Sequence, residues 1–482
     1  MNWYAVINIV GVVTFIVSLF FVLPISASLY YKEGDLPSLL LSFLIMAATG
    51  LIMFFGTKKY RHTDIRHREG FLTVTLCWVT VSLFGSFPYL FEGTFSTFTD
   101  AYFESMAGFT TTGASVLNDI EGTPKGILLW RSITQWLGGM GMVVFSLAVM
   151  PLIGGGGIQL FKAEVPEITV DKLRPRLFDT AKSLWYIYAT LTGITIVLLF
   201  IAGMSFYDAL CHAFTTLATG GFSTKNTSIA YFNNGYIDLI ITVFMFLAGI
   251  NYTLYFYAFR GDITRFYKSN EFKFYFWVTL LAISLIAFDL LRNDFGSVIK
   301  ALRYASFQAV SIMTTTGYAT ADYEKWSPFA QIILVTLMFF GGMIGSTGGG
   351  MKQVRILIMF KQGFRELYQL IHPRAVTAIK LDEKQIPKEV LGSIWGFLFL
   401  FIITWVGASI ILTFQGIDII TATTTVISAL CNVGPALGQA GPAENYALLP
   451  DLAKWVLTFC MLVGRLEVYT VLVLIMPQFW MK

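Results

Sequence analysis

Long apolar stretches dominate the chain and alternate with short polar ones. A helix needs about 20 apolar residues to cross a hydrocarbon core about 30 Å thick. Ten stretches meet this need, at approximately 4–31, 37–57, 69–92, 124–153, 178–204, 234–259, 272–292, 326–362, 388–414 and 449–477. The pattern predicts an all-α membrane protein with ten transmembrane helices, two leading ones followed by four pairs.

A shorter and less apolar segment separates the two members of each pair. In the first pair it covers 98–108, and in the second 206–214. Each segment is long enough for about two to four helical turns, which is too short to span. Irregular backbone is tolerated at membrane depth only where protein or a water-filled cavity surrounds it. Each repeat is therefore predicted to fold as a helix, a re-entrant pore helix, an extended loop and a second helix.

Related sequences end all four of these segments. They are Phe109-Thr110-Thr111-Thr112-Gly113-Ala114, Leu217-Ala218-Thr219-Gly220-Gly221, Thr314-Thr315-Thr316-Gly317-Tyr318 and Leu430-Cys431-Asn432-Val433-Gly434-Pro435. If Gly113, Gly220, Gly317 and Gly434 are equivalent, the spacings are 107, 97 and 117 residues, which indicates an internal repeat. We predict that the four loops meet around one axis.

The repeat also predicts how the chain is divided. An N-terminal two-helix extension covers 1–66, and pore repeats cover 67–160, 161–265, 266–365 and 366–482. The third repeat contains an additional glycine-rich loop within the membrane.

Composition agrees with a membrane protein. Of 482 residues, 56% are apolar and only 13% are charged, whereas a soluble chain is roughly a quarter charged. The net charge of +4 does not indicate nucleic-acid binding, because the basic residues lie in short loops. The four cysteines show no metal-binding spacing or disulfide framework. No catalytic constellation stands out.

Basic residues predict the orientation. Segments 57–69, 154–182, 260–273 and 352–388 together carry 22 Lys and Arg residues, whereas the connections on the other side carry 9. Because positively charged loops stay inside, the first set is predicted to be cytoplasmic. With ten spans, both termini are then cytoplasmic, and the four loops open from the outside.

The loops have the chemistry of a filter for a dehydrated potassium ion. Backbone carbonyls can replace the hydration shell, glycine permits the required positive φ angles, and a pore helix directs its negative C-terminal end at the ion. The predicted filter residues are Thr111, Thr112, Gly113, Ala218, Thr219, Gly220, Thr315, Thr316, Gly317, Asn432, Val433 and Gly434. Thr-Gly pairs also occur at ordinary helix ends, but four copies, each midway between two spans, favour the filter.

The stretch 341–350 holds six glycines in ten residues within an apolar segment. Glycine weakens a helix by about 1 kcal/mol relative to alanine, so the helix is predicted to break here. The predicted gate residues are Gly341, Gly342, Gly345, Ser346, Thr347, Gly348, Gly349 and Gly350. Close helix packing through small residues is the alternative. A phosphate-binding loop is excluded, because Met351 stands where lysine is needed.

Arg465 lies inside the last apolar stretch, where a charge is costly and usually faces a cavity or a partner. We expect it to project into the pore as a barrier to cations. A structural ion pair with Glu467 is the alternative, but residues two apart on a helix do not face each other, so Glu467 is expected to pair elsewhere. His212 is expected to be packed rather than a ligand, and Asp100 and Asp208 are expected to act as helix caps.

The fourfold span–half-helix–loop–span unit over 69–482 resembles the Trk/Ktr/HKT superfamily of potassium transporters, and the two leading helices make it similar to the TrkH/TrkG branch. The runs 341–352 and 464–467 are further local matches. The resemblance implies a pseudo-fourfold pore, a homodimer, and a cytosolic TrkA-type regulatory ring that binds NAD(H) or ATP. In HKT relatives a serine in place of the first glycine accompanies sodium transport, so glycine at all four positions, 113, 220, 317 and 434, favours potassium.

These observations predict potassium uptake across the bacterial inner membrane, with potassium as the substrate and no cofactor in this chain. Lipid and a regulatory subunit are the expected partners, and nucleic acid is not. One glycine per loop predicts modest discrimination against sodium. Channel-like conduction and symport with protons or sodium both remain open, and a secondary transporter of another small solute is the alternative.

Overall fold

The computed structural model describes residues 1–58, 67–148, 173–293, 296–375, 377–382 and 384–481. Much of the predicted cytoplasmic segments 57–69 and 154–182 lies outside these residues. Apart from loops, the described residues are helical except for one short antiparallel pair, β1 Lys380–Leu381 and β2 Lys384–Gln385, in which Lys380 lies opposite Gln385.

Three helices precede the repeats: α1 Trp3–Leu19, α2 Val22–Tyr31 and α3 Leu36–Gly56. Helices α1 and α3 cross at a pair of glycines. A β-carbon added to Gly11 would lie 2.9 Å from the carbonyl oxygen of Gly50, and one added to Gly50 would lie 2.7 Å from the amide nitrogen of Phe15. Small residues at a crossing let two membrane helices approach closely, so this pair fixes the predicted N-terminal extension.

The remaining helices are grouped by the predicted repeat that holds most of each helix. The first contains α4 His67–Gly85, α5 Phe87–Glu92, α6 Phe98–Phe109 and α7 Lys125–Ala148; the second contains α8 Leu173–Ile201, α9 Phe206–Leu217, α10 Gly235–Ala248 and α11 Tyr252–Phe259. The third contains α12 Thr264–Lys268, α13 Asn270–Arg292, α14 Val298–Met313, α15 Pro328–Phe340 and α16 Gln353–Ile371. The fourth contains α17 Lys388–Phe414, α18 Ile419–Cys431, α19 Asp451–Arg465, α20 Tyr469–Ile475 and α21 Pro477–Trp480.

The short helices α6, α9, α14 and α18 are the predicted pore helices, with 12, 12, 16 and 13 residues. Each begins at a residue whose side chain accepts the backbone N–H three positions later: Thr97, Ser205, Ser297 and Asp418. Such caps satisfy amides that the helix leaves unpaired. The expectation that Asp100 and Asp208 are the caps is wrong, because they supply the capped N–H groups and accept the cap hydroxyls through their carboxylates.

Six helical segments in the described part of the chain are long and apolar enough to cross a membrane. They are Trp3–Tyr31, Leu36–Gly56, Arg68–Glu92, Ala181–Ile201, Asn270–Arg292 and Lys388–Phe414. They indicate a multi-pass membrane protein, while the count of ten crossings stays a prediction.

Three of the predicted spans are interrupted by three or more non-helical residues. The pair α10 and α11 bends by 94° between Ala248 and Tyr252. The segment predicted at 326–362 is interrupted between Phe340 and Gln353, and the one at 449–477 breaks after Arg465. The break at 341–350 was predicted from its glycines and is confirmed. The other two were predicted as continuous helices, and the structure corrects them.

Candidate functional site

The four loops that follow the pore helices fold alike. In each, a loop amide donates to the carbonyl oxygen five residues earlier, on the last turn of the pore helix. The bonds are Thr112 N to Ala107 O (2.8 Å), Gly220 N to Thr215 O (2.8 Å), Thr316 N to Ser311 O (2.8 Å) and Val433 N to Ser428 O (2.9 Å). Because these amides turn back toward the helix, the loops are anchored in one common register.

The φ angles show the same register. Thr111, Thr219, Thr315 and Asn432 all lie in the left-handed region, with φ of 53°, 52°, 60° and 55°. Two residues later comes a glycine with positive φ: Gly113 at 78°, Gly221 at 78°, Gly317 at 82° and Gly434 at 103°. A side chain is strained there, which explains why all four loops have glycine at this position.

This register corrects the second loop of the predicted filter. The residue equivalent to Gly113 is Gly221 and not Gly220, which instead corresponds to Thr112, Thr316 and Val433. Ala218 moves to the C-cap of its helix, the position of Thr110. A distance along the sequence gives the same register: Gly113, Gly221 and Gly434 each lie 16 residues after the cap of their pore helix, at Thr97, Ser205 and Asp418.

The glycines join the loops in a closed cycle. A β-carbon added to each glycine would lie too close to a carbonyl oxygen of another loop. The distances are 2.1 Å from Gly113 to Gly220 and 1.9 Å from Gly221 to Thr316. They are 2.1 Å from Gly317 to Val433 and 2.6 Å from Gly434 to Thr112. The contacts therefore run from the first loop to the second, third and fourth and back to the first. Only backbone fits between neighbouring loops.

A buried ion pair supports the first two loops. Arg131 of α7 donates from Nε to Glu104 of α6 over 2.6 Å and from a terminal nitrogen to the carbonyl oxygen of Ser223 over 3.0 Å. Glu104 also accepts the amide of Val116 at 2.9 Å, and the guanidinium lies 3.6 Å from the centre of the Phe222 ring. The paired charges thus hold the chain just beyond both loops.

His212 is packed, as expected. Its Nδ1 lies 2.8 Å from the carbonyl oxygen of Asp208, and its Nε2 lies 2.9 Å from Oγ of Ser223. The ring is buried and joins the second pore helix to the chain after the second loop.

The segment between α15 and α16 lies at the C-terminal ends of three pore helices. The amide of Gly349 donates to Oγ1 of Thr315 over 2.7 Å. The amide of Gly350 donates to the carbonyl oxygen of Cys431 over 2.9 Å, and the hydroxyl of Thr347 donates to the carbonyl oxygen of Leu217 over 3.0 Å. The predicted gate residues therefore contact the second, third and fourth loops or the ends of their helices.

Arg465 is buried against the same segment, with 1% of its side chain exposed. Its guanidinium donates to the carbonyl oxygen of Thr347 over 2.9 Å and to that of Gly138 over 2.8 Å. It does not pair with Glu467, which binds Arg355 instead. The sequence excluded the first pairing but did not identify the second.

A second buried cation in this segment was missed. Lys352 follows the glycines, and its ammonium donates to the carbonyl oxygen of Gly348. Its own φ of 70° is unusual for a residue with a side chain. Two cationic side chains, Lys352 and Arg465, therefore hold carbonyl groups of one short segment.

Glu324 joins the segments that follow the third and fourth loops. Its carboxylate accepts the amide of Gly438. The pKa of Glu324 is raised above its usual value, mainly by burial, and the hydrogen bond from the Gly438 amide offsets part of this shift.

Known proteins share this architecture over the whole chain. The model of the TrkH family, described as cation transport protein, matches residues 41–481. Trk system potassium uptake protein TrkH of Salmonella typhimurium is 39% identical over 100% of both chains, and TrkH of Halomonas elongata is 40% identical over 100% of both. TrkG of Escherichia coli is 36% identical over 98% of both.

A solved structure agrees. The crystal structure of the potassium transporter TrkH from Vibrio parahaemolyticus superimposes with a TM-score of 0.92, at 37% identity and with 100% of both chains covered. The chain belongs to the TrkH family of cation transport proteins.

Proposed function

We propose that this chain takes up potassium across the bacterial inner membrane, through a filter built from its four unlike loops. The relatives that match the whole chain are named potassium uptake proteins, which supports the substrate. The observation that carries the proposal is the closed cycle of contacts between glycines and carbonyl oxygens. In this pseudo-fourfold arrangement, equivalent peptide groups of all four loops surround one ion path.

The filter is formed by the left-handed residue of each loop, the residue after it and the glycine. These residues are Thr111, Thr112, Gly113, Thr219, Gly220, Gly221, Thr315, Thr316, Gly317, Asn432, Val433 and Gly434. Their carbonyl groups replace the water around potassium. The four pore helices end at this site, and their C-terminal ends favour a cation. That polarity speaks against an anionic or organic solute.

The segment 341–350 and Arg465 form the gate. The segment lies beneath three of the loops, and Arg465 adds a buried positive charge to it. A cation leaving the filter meets both, so conduction requires this segment to move. The many backbone hydrogen bonds that hold it define the closed state.

Control of the gate comes from outside this chain. The relatives belong to a Trk system, a name that supports a multi-component assembly. We propose that a cytosolic TrkA-type ring, which binds NAD(H) or ATP, docks on the cytoplasmic face, and that the chain forms a homodimer with all termini in the cytoplasm. The basic segments of the sequence support this orientation.

Uptake into proteoliposomes tests the substrate. With a membrane potential that is negative inside, the purified chain is expected to accumulate rubidium, and excess external potassium is expected to block this accumulation. Uptake of another solute without competition by potassium would overturn the proposal and favour a secondary transporter coupled to a cation gradient.

Reversal potentials measured in planar bilayers under opposed potassium, sodium and proton gradients separate conduction from coupling. In a channel the reversal potential follows the potassium gradient, with a smaller contribution from sodium and none from protons, whereas in a symporter it shifts with the gradient of the coupled ion in a fixed ratio set by the stoichiometry. One positive-φ glycine per loop leads us to expect only a modest preference for potassium over sodium.

A further inference from the structure

The second filter loop lacks a side chain that the other three possess. At the position before the positive-φ glycine, the other loops carry Thr112, Thr316 and Val433, whereas the second carries Gly220. Gly220 is not among the residues with positive φ, so its backbone conformation does not require glycine. Something else in the structure must exclude a side chain at this position.

The excluding group is the carboxamide of Gln135, on helix α7 of the first repeat. A β-carbon added to Gly220 would lie 2.4 Å from Cδ of Gln135. The Gln135 side chain is fully buried. It therefore fills the space that a threonine or valine side chain fills in an equivalent loop.

The same carboxamide binds the loop on both sides of its glycine. Its Nε2 donates to the carbonyl oxygen of Gly220 over 2.6 Å, and its Oε1 accepts the amide of Phe222 over 3.0 Å. A primary amide offers two donors and one acceptor oxygen, and this pairing uses both kinds of group. The peptide groups on either side of Gly221 are thereby fixed by a residue from another repeat.

The Gly220 carbonyl belongs to the cycle described above. In the described part of the chain, the equivalent carbonyl oxygens of Thr112, Thr316 and Val433 accept no hydrogen bond. The threonines instead hold their own loops, with hydroxyl pairs Thr110–Thr112 and Thr314–Thr316 at 2.8 Å each. Of the four equivalent carbonyl oxygens, only that of Gly220 thus accepts a hydrogen bond from a neutral side chain in the described part of the chain. This bond uses a lone pair of the oxygen that would otherwise be available to an ion.

We propose that Gln135 is a positioning residue of the filter: its carboxamide replaces the missing side chain of the second loop, holds the Gly220 carbonyl, and thereby sets the preference for potassium over sodium. The inference rests on the proposed potassium function and deepens it. It also explains why Gly220 and Gly221 are adjacent glycines, with only the second required by backbone conformation.

A double-mutant cycle tests the inference. The variants are Gln135→Ala, Gly220→Thr and the double variant, each compared with the wild type by potassium-to-sodium permeability ratio and rubidium uptake in proteoliposomes. Gln135→Ala frees the carbonyl and leaves a void, and Gly220→Thr collides with the carboxamide.

Each single change is expected to lower the permeability ratio about tenfold, the factor that corresponds to about 1.4 kcal/mol. The double variant gives the second loop the Thr-Thr-Gly filter residues of the first and is expected to recover most of the ratio.

Gln331→Met serves as the matched control. Gln331 also donates from Nε2 to a loop carbonyl, that of Glu324 at 2.7 Å, but it lies outside the filter. Its replacement is expected to leave the permeability ratio unchanged. If Gln135→Ala does not fold, Gln135→Met keeps most of the volume while removing the hydrogen bonds to Gly220 and Phe222 without adding a charge, and it is expected to lower the ratio in the same way.

An unchanged ratio in a folded Gln135 variant would overturn the inference, as would a double variant that is no better than the worse single one. Failure of the proposed function looks different, because the wild type itself would then show no potassium-competed uptake of rubidium.

Discussion

Two adjacent glycines in the second filter loop have different constraints. At Gly221 a side chain is excluded both by the φ of 78° and by the carbonyl oxygen of Thr316, which lies 1.9 Å from where a β-carbon would stand. At Gly220 the three atoms nearest to a β-carbon position all belong to the Gln135 side chain. The second glycine of the pair therefore occupies the position that requires glycine in every loop.

Gly221→Ala is accordingly expected to reduce rubidium uptake by more than about tenfold, because a strained residue costs about 1–3 kcal/mol and the new methyl group would push two loops apart. Gly93→Ala is the control. Gly93 has a similar φ of 79° but open space around its β-carbon position, so uptake should stay near the wild-type level. Normal uptake by a folded Gly221→Ala protein would refute the register.

Arg465 provides a second prediction at the scale of one residue. Its guanidinium is buried and bound only to backbone carbonyls among the described residues, so its charge is not neutralised by a carboxylate there. Arg465→Ala is expected to raise rubidium flux by roughly tenfold, as for a barrier lowered by about 1.4 kcal/mol. Arg265→Ala, which removes a half-exposed arginine paired with Asp262, should have no effect. Lower flux at normal expression would contradict a barrier role.

At the scale of elements, the interruption between α15 and α16 is held by its own side chains and amides. The hydroxyl of Thr347 donates to the carbonyl oxygens of Leu217 and Ala248, at 3.0 and 3.2 Å. These bonds join the segment to the second repeat, so loosening them should favour the open state.

Thr347→Val removes both bonds at nearly constant volume and is expected to increase potassium-competed rubidium flux severalfold; deleting residues 346–349 should increase it further. Thr336→Val is the matched control, because the hydroxyl of Thr336 bonds only within its own helix, to Ile332. Flux that is unchanged or lost in folded Thr347→Val protein would argue against a gate and for a packing role.

The ion pair between α6 and α7 predicts a stability effect. Removing one partner of a buried pair costs about 3–5 kcal/mol, because the other charge is left unpaired. Glu104→Ala should therefore lower the melting temperature markedly, by leaving Arg131 without its carboxylate. Glu33→Ala, which breaks the partly exposed pair with Lys125, should cost no more than about 1 kcal/mol. Thermal unfolding in detergent compares the two, and equal shifts would contradict the assignment.

At the scale of the whole molecule, polar contacts join neighbouring repeats all the way round. Arg131 bonds to Ser223 at 3.0 Å and joins the first and second repeats, and Arg303 bonds to Asp238 at 2.7 Å and joins the second and third. Tyr323 bonds to Ala436 at 3.1 Å and joins the third and fourth, and Lys454 bonds to Asp100 at 2.6 Å and joins the fourth to the first. The order of the repeats in the chain is thus also their order around the loops.

Periodic features were predictable from the sequence. Four pore helices, their loops and the break at 341–350 follow from apolar length, repeated Thr-Gly pairs and glycine density. The register of the second loop could not be read from the motif itself, since Gly220 and Gly221 fit it equally well. Only the distance from the Ser205 cap distinguishes them, and that cap is recognisable once the helix is known.

Long-range side-chain contacts were beyond the sequence. Gln135 lies 85 residues from the carbonyl it holds, and Arg355 lies 112 residues from Glu467. Neither pair has a local pattern, because such contacts depend on how the repeats pack. Likewise, the helix breaks at 249–251 and after Arg465 carry too few glycines to be separated from ordinary apolar spans.

The unlike composition of the four loops has an evolutionary consequence. In a channel assembled from four copies of one gene product, a single codon change alters every quadrant of the ion path at once. Here the same change alters one quadrant, as glycine at position 220, where two equivalent loops have threonine, illustrates. Ion preference in such a fused protein can therefore be adjusted in small increments, and a loss in one quadrant can be offset by a substitution in its neighbour.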